Sequence, residues 1–107
     1  MSKYFARQVK EGGYTFASQA EYRYYCDLKT LLKNKLIEGL IVHPKFTAIV
    51  NGTKICNIIL DFQYFDKETN RLCYVDVKGL DPPISKLKRK LLEALYPEVT
   101  VTVVGPR

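Results

Sequence analysis

Residues 58–79 read Ile58-Ile59-Leu60-Asp61-Phe62-Gln63-Tyr64-Phe65, then Asp66-Lys67-Glu68-Thr69-Asn70-Arg71, then Leu72-Cys73-Tyr74-Val75-Asp76-Val77-Lys78-Gly79. Two β-rich runs flank a polar turn, which is the pattern of an antiparallel hairpin. Asp61 and Asp76 stand equally far from the two edges of that turn, so plain hairpin pairing brings them to opposite positions. Alternate side chains of a strand share a face. Asp76 and Lys78 therefore point one way, and Val75 and Val77 point the other, into the core.

A carboxylate inside an apolar strand is costly. Left unpaired it costs several kcal/mol, so it calls for a cation, a hydrogen-bond network or a metal. Like charges facing each other destabilise a sheet unless something positive lies between them. Mg²⁺, or Mn²⁺ in its place, suits Asp61 and Asp76: a hard cation held by one or two carboxylates and completed by a substrate phosphate. Lys78 beside it would orient a nucleophile or stabilise charge on the phosphate. Taken singly, either carboxylate reads more readily as half of a structural Asp–Lys pair. Asp followed some distance later by Asp-x-Lys on paired strands reverses that preference.

Upstream, Ser18-Gln19-Ala20-Glu21 is a capping box, with Ser18 at the N-cap and Glu21 three residues on. Tyr25, Leu28 and Leu32 continue a helical stripe. The helix is expected to end between Lys35 and Glu38, with Gly39 as its C-cap. Residues 1–16 read as an irregular or partly extended basic arm carrying Lys3, Arg7 and Lys10, with Gly12-Gly13 excluding helix. Residues 40–42 and 46–50 are strand-like, broken or bent at His43-Pro44, and His43 reads as structural. Asn51-Gly52 is a strong hairpin turn. It returns the chain into a strand expected over 54–65, and 72–78 forms the next strand.

Downstream, Gly79 to Pro83 stops the sheet. A helix is expected over 85–96 with Leu87, Leu91 and Leu95 facing inward, and a last strand over 99–104. The order is helix, three strands, helix, strand, an α/β arrangement in a single domain spanning 1–107.

Four of the six residues from Ser85 to Lys90 are basic: Lys86, Lys88, Arg89 and Lys90. Cations at a helix N-terminus oppose the macrodipole, so helix stability does not ask for them, whereas phosphate contact would. A solvated helix face is the competing explanation. The net charge of +6 and pI near 9.3 favour a polyanionic partner such as DNA. Cys26, Cys56 and Cys73 have no short C-x-x-C spacing, and each reads as a reduced core thiol. The chain turns basic at once after Met1, and its longest apolar run is far too short to cross a bilayer, so a cytoplasmic protein without membrane contact is expected. Tyr22, Tyr24 and Tyr25 read as packing residues before base-stacking ones.

The arrangement Asp61…Asp76-Val77-Lys78 resembles the PD-(D/E)XK signature of the restriction-endonuclease-like superfamily, with Leu60 where the signature has proline. The element order is similar to that superfamily's core, a central mixed sheet flanked by helices. The phrases Phe16-Ala17-Ser18-Gln19-Ala20-Glu21, Leu60-Asp61-Phe62 and Val75-Asp76-Val77-Lys78-Gly79 resemble small phage-encoded members related to Holliday-junction resolvases. The resemblance implies a metal held by Asp61, Asp76 and the Val77 carbonyl, with Lys78 catalytic. It also implies a metal-site role for Glu21, beside the capping role its spacing already explains. A homodimer cutting branched DNA in phage recombination, in the cytoplasm of a bacterial host and without an organic cofactor, follows from the same resemblance. A non-catalytic module of the same fold, binding DNA or a host protein, is the alternative.

Overall fold

The computed structural model describes residues 8–105. Its centre is a four-stranded mixed sheet of order β3-β6-β7-β8, formed by β3 (Ile37–Val42), β6 (Phe62–Asp66), β7 (Arg71–Val77) and β8 (Val101–Val104). The first three strands are antiparallel, and β8 runs parallel to β7. The return to β8 passes through α2 (Pro83–Leu95), the crossover a parallel pair needs. The chain is thus an α/β protein with a central mixed sheet and two helices.

Alternation along β7 divides the core in two. Val75 packs with Phe16, Phe62, Ile37 and the Tyr25 and Leu28 stripe of α1 (Gln19–Lys33). Its neighbour Tyr74 packs on the other face with Leu60, Ile58, Ala48 and Val99 around Leu92 of α2. Phe62 and Leu92 are both wholly buried. By the same alternation Asp76, two residues beyond Tyr74, lies on the α2 face, and Val77 packs against the α1-side cluster.

The strand expected over 54–65 is two strands. β5 (Thr53–Ile59) pairs with β4 (Lys45–Val50) in a separate two-stranded sheet, and the chain bends at Leu60-Asp61 before β6. The opposite side bends at His43-Pro44, between β3 and β4. The two bends are tied together: His43 N–H donates to the Asp61 carbonyl at 2.9 Å, and Leu60 N–H donates to the Pro44 carbonyl at 3.0 Å. Val42 pairs with Phe62 on one side of the bend and Lys45 with Ile59 on the other. One register therefore runs through it, and it sets His43 opposite Asp61. This is a single long hairpin folded over at a matched kink, carrying the Asn51-Gly52 turn onto the α2 face. The predicted strand failed because an apolar run does not report where its partner bends away.

Other boundaries moved as well. The first helix stops at Lys33, earlier than expected, because Lys35 takes a left-handed φ of +62°. Lys35 N–H then donates to the Leu32 carbonyl, and Leu36 N–H to the Leu31 carbonyl, a Schellman closure. Gly39, expected as the cap, lies in β3 at φ +64°, where the β3–β6 register shifts between Glu38 and Ile41. The described part of the arm expected to be irregular or partly extended is extended, as a small hairpin of β1 (Val9–Glu11) and β2 (Tyr14–Phe16) turning on Gly12-Gly13. Lys3 and Arg7 lie outside the described residues. The second helix starts two residues early, at Pro83, and the last strand covers only Val101–Val104 of 99–104. Cys26 is exposed on α1 rather than in the core, while Cys56 and Cys73 are half-buried, and all three are free thiols.

Candidate metal centre

The expected pairing of the two aspartates holds in the backbone. Phe62 pairs with Val75 and Asp66 with Arg71, a register that sets Asp61 level with Asp76, and Asp61 N–H donates to the Val75 carbonyl at 3.1 Å. Asp61 sits at the bend, however, and not in a strand interior. There the ladder beside β7 is interrupted, and the Asp61 side chain substitutes for it: Val77 N–H donates to Asp61 Oδ2 at 2.6 Å. Lys78 N–H bonds to Val104 on the β8 side. Backbone groups of successive strand residues point to opposite edges, so the Val77 peptide groups face the Asp61 side.

Glu21 comes from the first turn of α1 and is 2% exposed. The capping role expected of this residue holds, and its carboxylate also reaches toward the bend. Its backbone N–H donates to Ser18 Oγ at 3.1 Å, and its Oε1 accepts from Ala17 N–H at 2.8 Å, one residue before the expected reciprocal partner. Its other oxygen faces the bend, where Glu21 Oε2 lies 2.8 Å from His43 Nε2. Glu21, His43 and Asp61 each offer a ligand atom, and these atoms lie within 4.8 Å of one another. His43, expected to be structural only, is thus the third member of the cluster. It is held there at a φ of +58°, uncommon for a residue with a side chain.

The electrostatics of this cluster are unfavourable. Burial above all pushes the Asp61 carboxyl up to about 7; the Val77 N–H opposes the shift, while the charges of Glu21 and Asp76 add to it. Asp76, 4% exposed, is also raised, by burial, against the pull of Lys78 and Arg89. Lys78 Nζ and Arg89 Nη1 each stand 3.9 Å from Asp76 Oδ2. Asp76 therefore bridges the acidic cluster and a basic flank. The other oxygen-rich partner of Arg89 is Asp81, at 2.5 Å from Nη2.

The basic run of α2 is split by its helical position. Lys86 and Lys90 are exposed, Lys88 is half-buried, and Arg89 turns inward onto Asp76 and Asp81. Register counting could have found His43. Counting back from Asn51-Gly52 puts it opposite Leu60, and the one-residue shift between Ala48 and Ile49 moves it to Asp61. No sequence signal announces that shift.

The chain belongs to the family described as Protein of unknown function (DUF1064), whose model matches residues 1–105. No curated protein matches the chain, and no solved structure matches it. No helix among the described residues is long and apolar enough to cross a membrane.

Proposed function

We propose that this family member is a divalent-metal-dependent endonuclease that hydrolyses DNA phosphodiesters on a restriction-endonuclease-like core. The observation that carries this reading is the convergence of Glu21, His43 and Asp61 at the end of β7, which carries Asp76 and leads into Lys78. The donor set fits a divalent cation. Two carboxylates and one imidazole meet here, with Glu21 buried and His43 and Asp61 half-buried, and burial above all, with the charges of Glu21 and Asp76 adding to it, pushes Asp61 up to about 7. A cation relieves that repulsion. Oxygen donors suit Mg²⁺ or Mn²⁺, and the imidazole nitrogen tilts the choice toward Mn²⁺. Glu21, His43, Asp61 and the Val77 carbonyl are the residues that would hold it, with Asp76 at the margin toward the basic flank.

A cation held there supplies Lewis acidity toward a phosphate oxygen. The chain's own groups do the rest. Lys78 places positive charge beside Asp76, where charge develops on the phosphate under attack. The Glu21–His43 pair fixes the ring of His43, and the Val77 N–H fixes one oxygen of Asp61, so both are positioned before substrate arrives. Lys86 and Lys90 project from α2 to meet the backbone of the nucleic acid. In this reading DNA shape such as a branch is the feature read, and paired cuts require a homodimer.

The test is incubation of wild type, Asp61→Ala and Asp76→Ala with supercoiled, linear and four-way-junction DNA, in Mg²⁺, Mn²⁺ or EDTA. Metal-dependent cutting that falls on the order of 10³-fold or more in both variants is expected, with binding retained. Cutting that survives both substitutions, or none by wild type on any substrate, would sink the proposal.

A further inference from the structure

On the α2 side of β7 lies an open cavity of about 230 Å³, separate from the carboxylate–imidazole cluster and lined by Asp76, Lys78, Ser85, Lys88 and Arg89. Three cations face one carboxylate there, so the cavity is positive although its floor is a buried aspartate. The cations are not spent on that aspartate. Lys78 Nζ and Arg89 Nη1 stand 3.9 Å from Asp76 Oδ2, within ion-pair range but beyond hydrogen-bond length. Among the described residues Arg89 Nη1 is buried with no hydrogen-bond partner, as is Asp81 Oδ1, an unusual condition for a guanidinium nitrogen.

The guanidinium is nevertheless fixed. Asp81, from the loop before α2, holds Nη2 at 2.5 Å. Arg89 therefore presents one edge of its fork to Asp81 and leaves the other unused. A planar fork with a free edge matches the oxygens of a phosphate. The helix beneath adds to the field. α2 begins at Pro83 with no side-chain cap and no acidic residue in its first turn, and Ser85 from that turn lines the cavity.

We propose that this cavity is an oxyanion subsite that takes one phosphate of a nucleic-acid strand. Arg89 Nη1 and Lys88 are its direct ligands, and Asp81 is the positioning residue that aims Arg89. The proposal deepens the nuclease reading and rests on it only for the nucleic-acid origin of the phosphate. That phosphate is either a diester within the strand next to the one attacked or a monoester at a strand end.

Metal-free full chain in EDTA is titrated with inorganic phosphate at constant ionic strength and followed by NMR. Saturable shifts at Ser85, Lys88 and the Arg89 side-chain N–H are expected, with His43 unmoved. Arg89→Lys and Lys88→Gln should each weaken phosphate about tenfold, since each removes a charge-assisted or bidentate contact. Asp81→Asn should weaken it several-fold, and Asp81→Glu should restore part of the loss. Lys88 is half-buried and free of the Asp81 pair, so Lys88→Gln decides the matter where Arg89→Lys fails to fold. Absence of a saturable shift, or one Kd across all folded variants, overturns the subsite. A 5′-phosphorylated oligonucleotide and its 5′-hydroxyl twin then identify the source. Preference for the phosphorylated strand, lost in Lys88→Gln, assigns the end; equal binding, weakened equally in Lys88→Gln, assigns the internal diester; and binding of both untouched by Lys88→Gln overturns the proposal. None of these readouts needs metal or turnover. A chain that binds phosphate here but cuts nothing keeps the subsite and loses the nuclease reading, and a cutting chain without the shifts loses only the subsite.

Discussion

The two flanks of β7 meet at Asp76 and are built on opposite electrostatic principles. Toward α1, Glu21, His43 and Asp61 converge at a half-buried bend, and burial first, with the charges of Glu21 and Asp76 adding to it, raises Asp61 to about 7. Toward α2, Lys78, Lys88 and Arg89 line a cavity, and among the described residues Arg89 Nη1 has no hydrogen-bond partner. Neither arrangement is what stability alone would select. Acids of one sign at a sheet break cost energy, and so do cations beside the positive end of a helix. The two costs are of opposite sign: carboxylates gather on one flank, and on the other three cations face Asp76. In the proposed reading, a metal ion on one flank and a phosphate on the other would offset both costs together.

The strongest test of that contrast is metal linkage. A ligand that binds only the folded chain stabilises it by about 2.7 kcal/mol at a hundredfold excess over its Kd. Mn²⁺ or Mg²⁺ is therefore expected to raise the Tm of wild type, and Asp61→Asn to abolish the rise. Lys88→Gln, on the other flank, should leave it intact. A Tm indifferent to divalent cations in wild type would break the contrast.

Next comes pH. The folded carboxyl of Asp61 titrates near 7, against an ordinary value of 3.8. A raised carboxylate binds its proton more tightly in the folded chain, so its contribution to stability is complete below about 3.8. That contribution is lost as pH rises through about 7. Asp76 is shifted in the same direction. Metal-free protein should accordingly lose stability between about pH 4 and pH 7 in urea melts, and Asp61→Asn should flatten the slope. A slope unchanged by that substitution would mean that solvent reaches Asp61 and relieves it.

Much of this was legible in the sequence because the informative features were local. The 66–71 turn fixed the pairing that sets Asp61 level with Asp76, and Ser18…Glu21 fixed the start of α1. What stayed hidden depended on relations between distant segments. His43 looked inert because its partner lies on a helix twenty-two residues earlier. The strand over 54–65 looked continuous because Leu60 and Phe62 are both apolar, yet they enter different cores on opposite faces of the sheet. Arg89 looked like its neighbours Lys88 and Lys90, and only the helical turn that buries it against Asp76 and Asp81 separates it from them.

The helix starts sharpen the comparison at smaller amplitude. α1 is capped by Ser18 Oγ and carries Glu21 in its first turn, whereas α2 opens on Pro82-Pro83 with neither device. Ser18→Ala should cost about 1 kcal/mol, read by urea denaturation. It should also loosen Glu21, weakening the metal-induced rise in Tm. Ser85→Ala, which removes no cap, should leave stability within about 0.5 kcal/mol. Equal losses at the two sites would mean that capping does not distinguish the helices.

The smallest effect concerns the outermost cations. Lys86 and Lys90 are exposed one helical turn apart on α2 and make no ion pair recorded among the described residues. If they meet phosphates, their binding energy comes from counterion release, which has a signature of its own. Each phosphate contact contributes about 0.9 to the slope of log K against log salt on duplex DNA, so Lys86→Gln with Lys90→Gln should lower that slope by about 2. Affinity should fall at low salt and converge with wild type as salt rises, because screening removes from both what the substitution removed from one. Fold stability should not move, since neither side chain is buried. Lys88→Gln should act differently: its partner lies in a half-enclosed cavity where screening is weaker, so part of its loss should persist at high salt. A salt-independent loss at Lys86 and Lys90, or a fully screened one at Lys88, would place the phosphate-binding surface on the wrong side of α2.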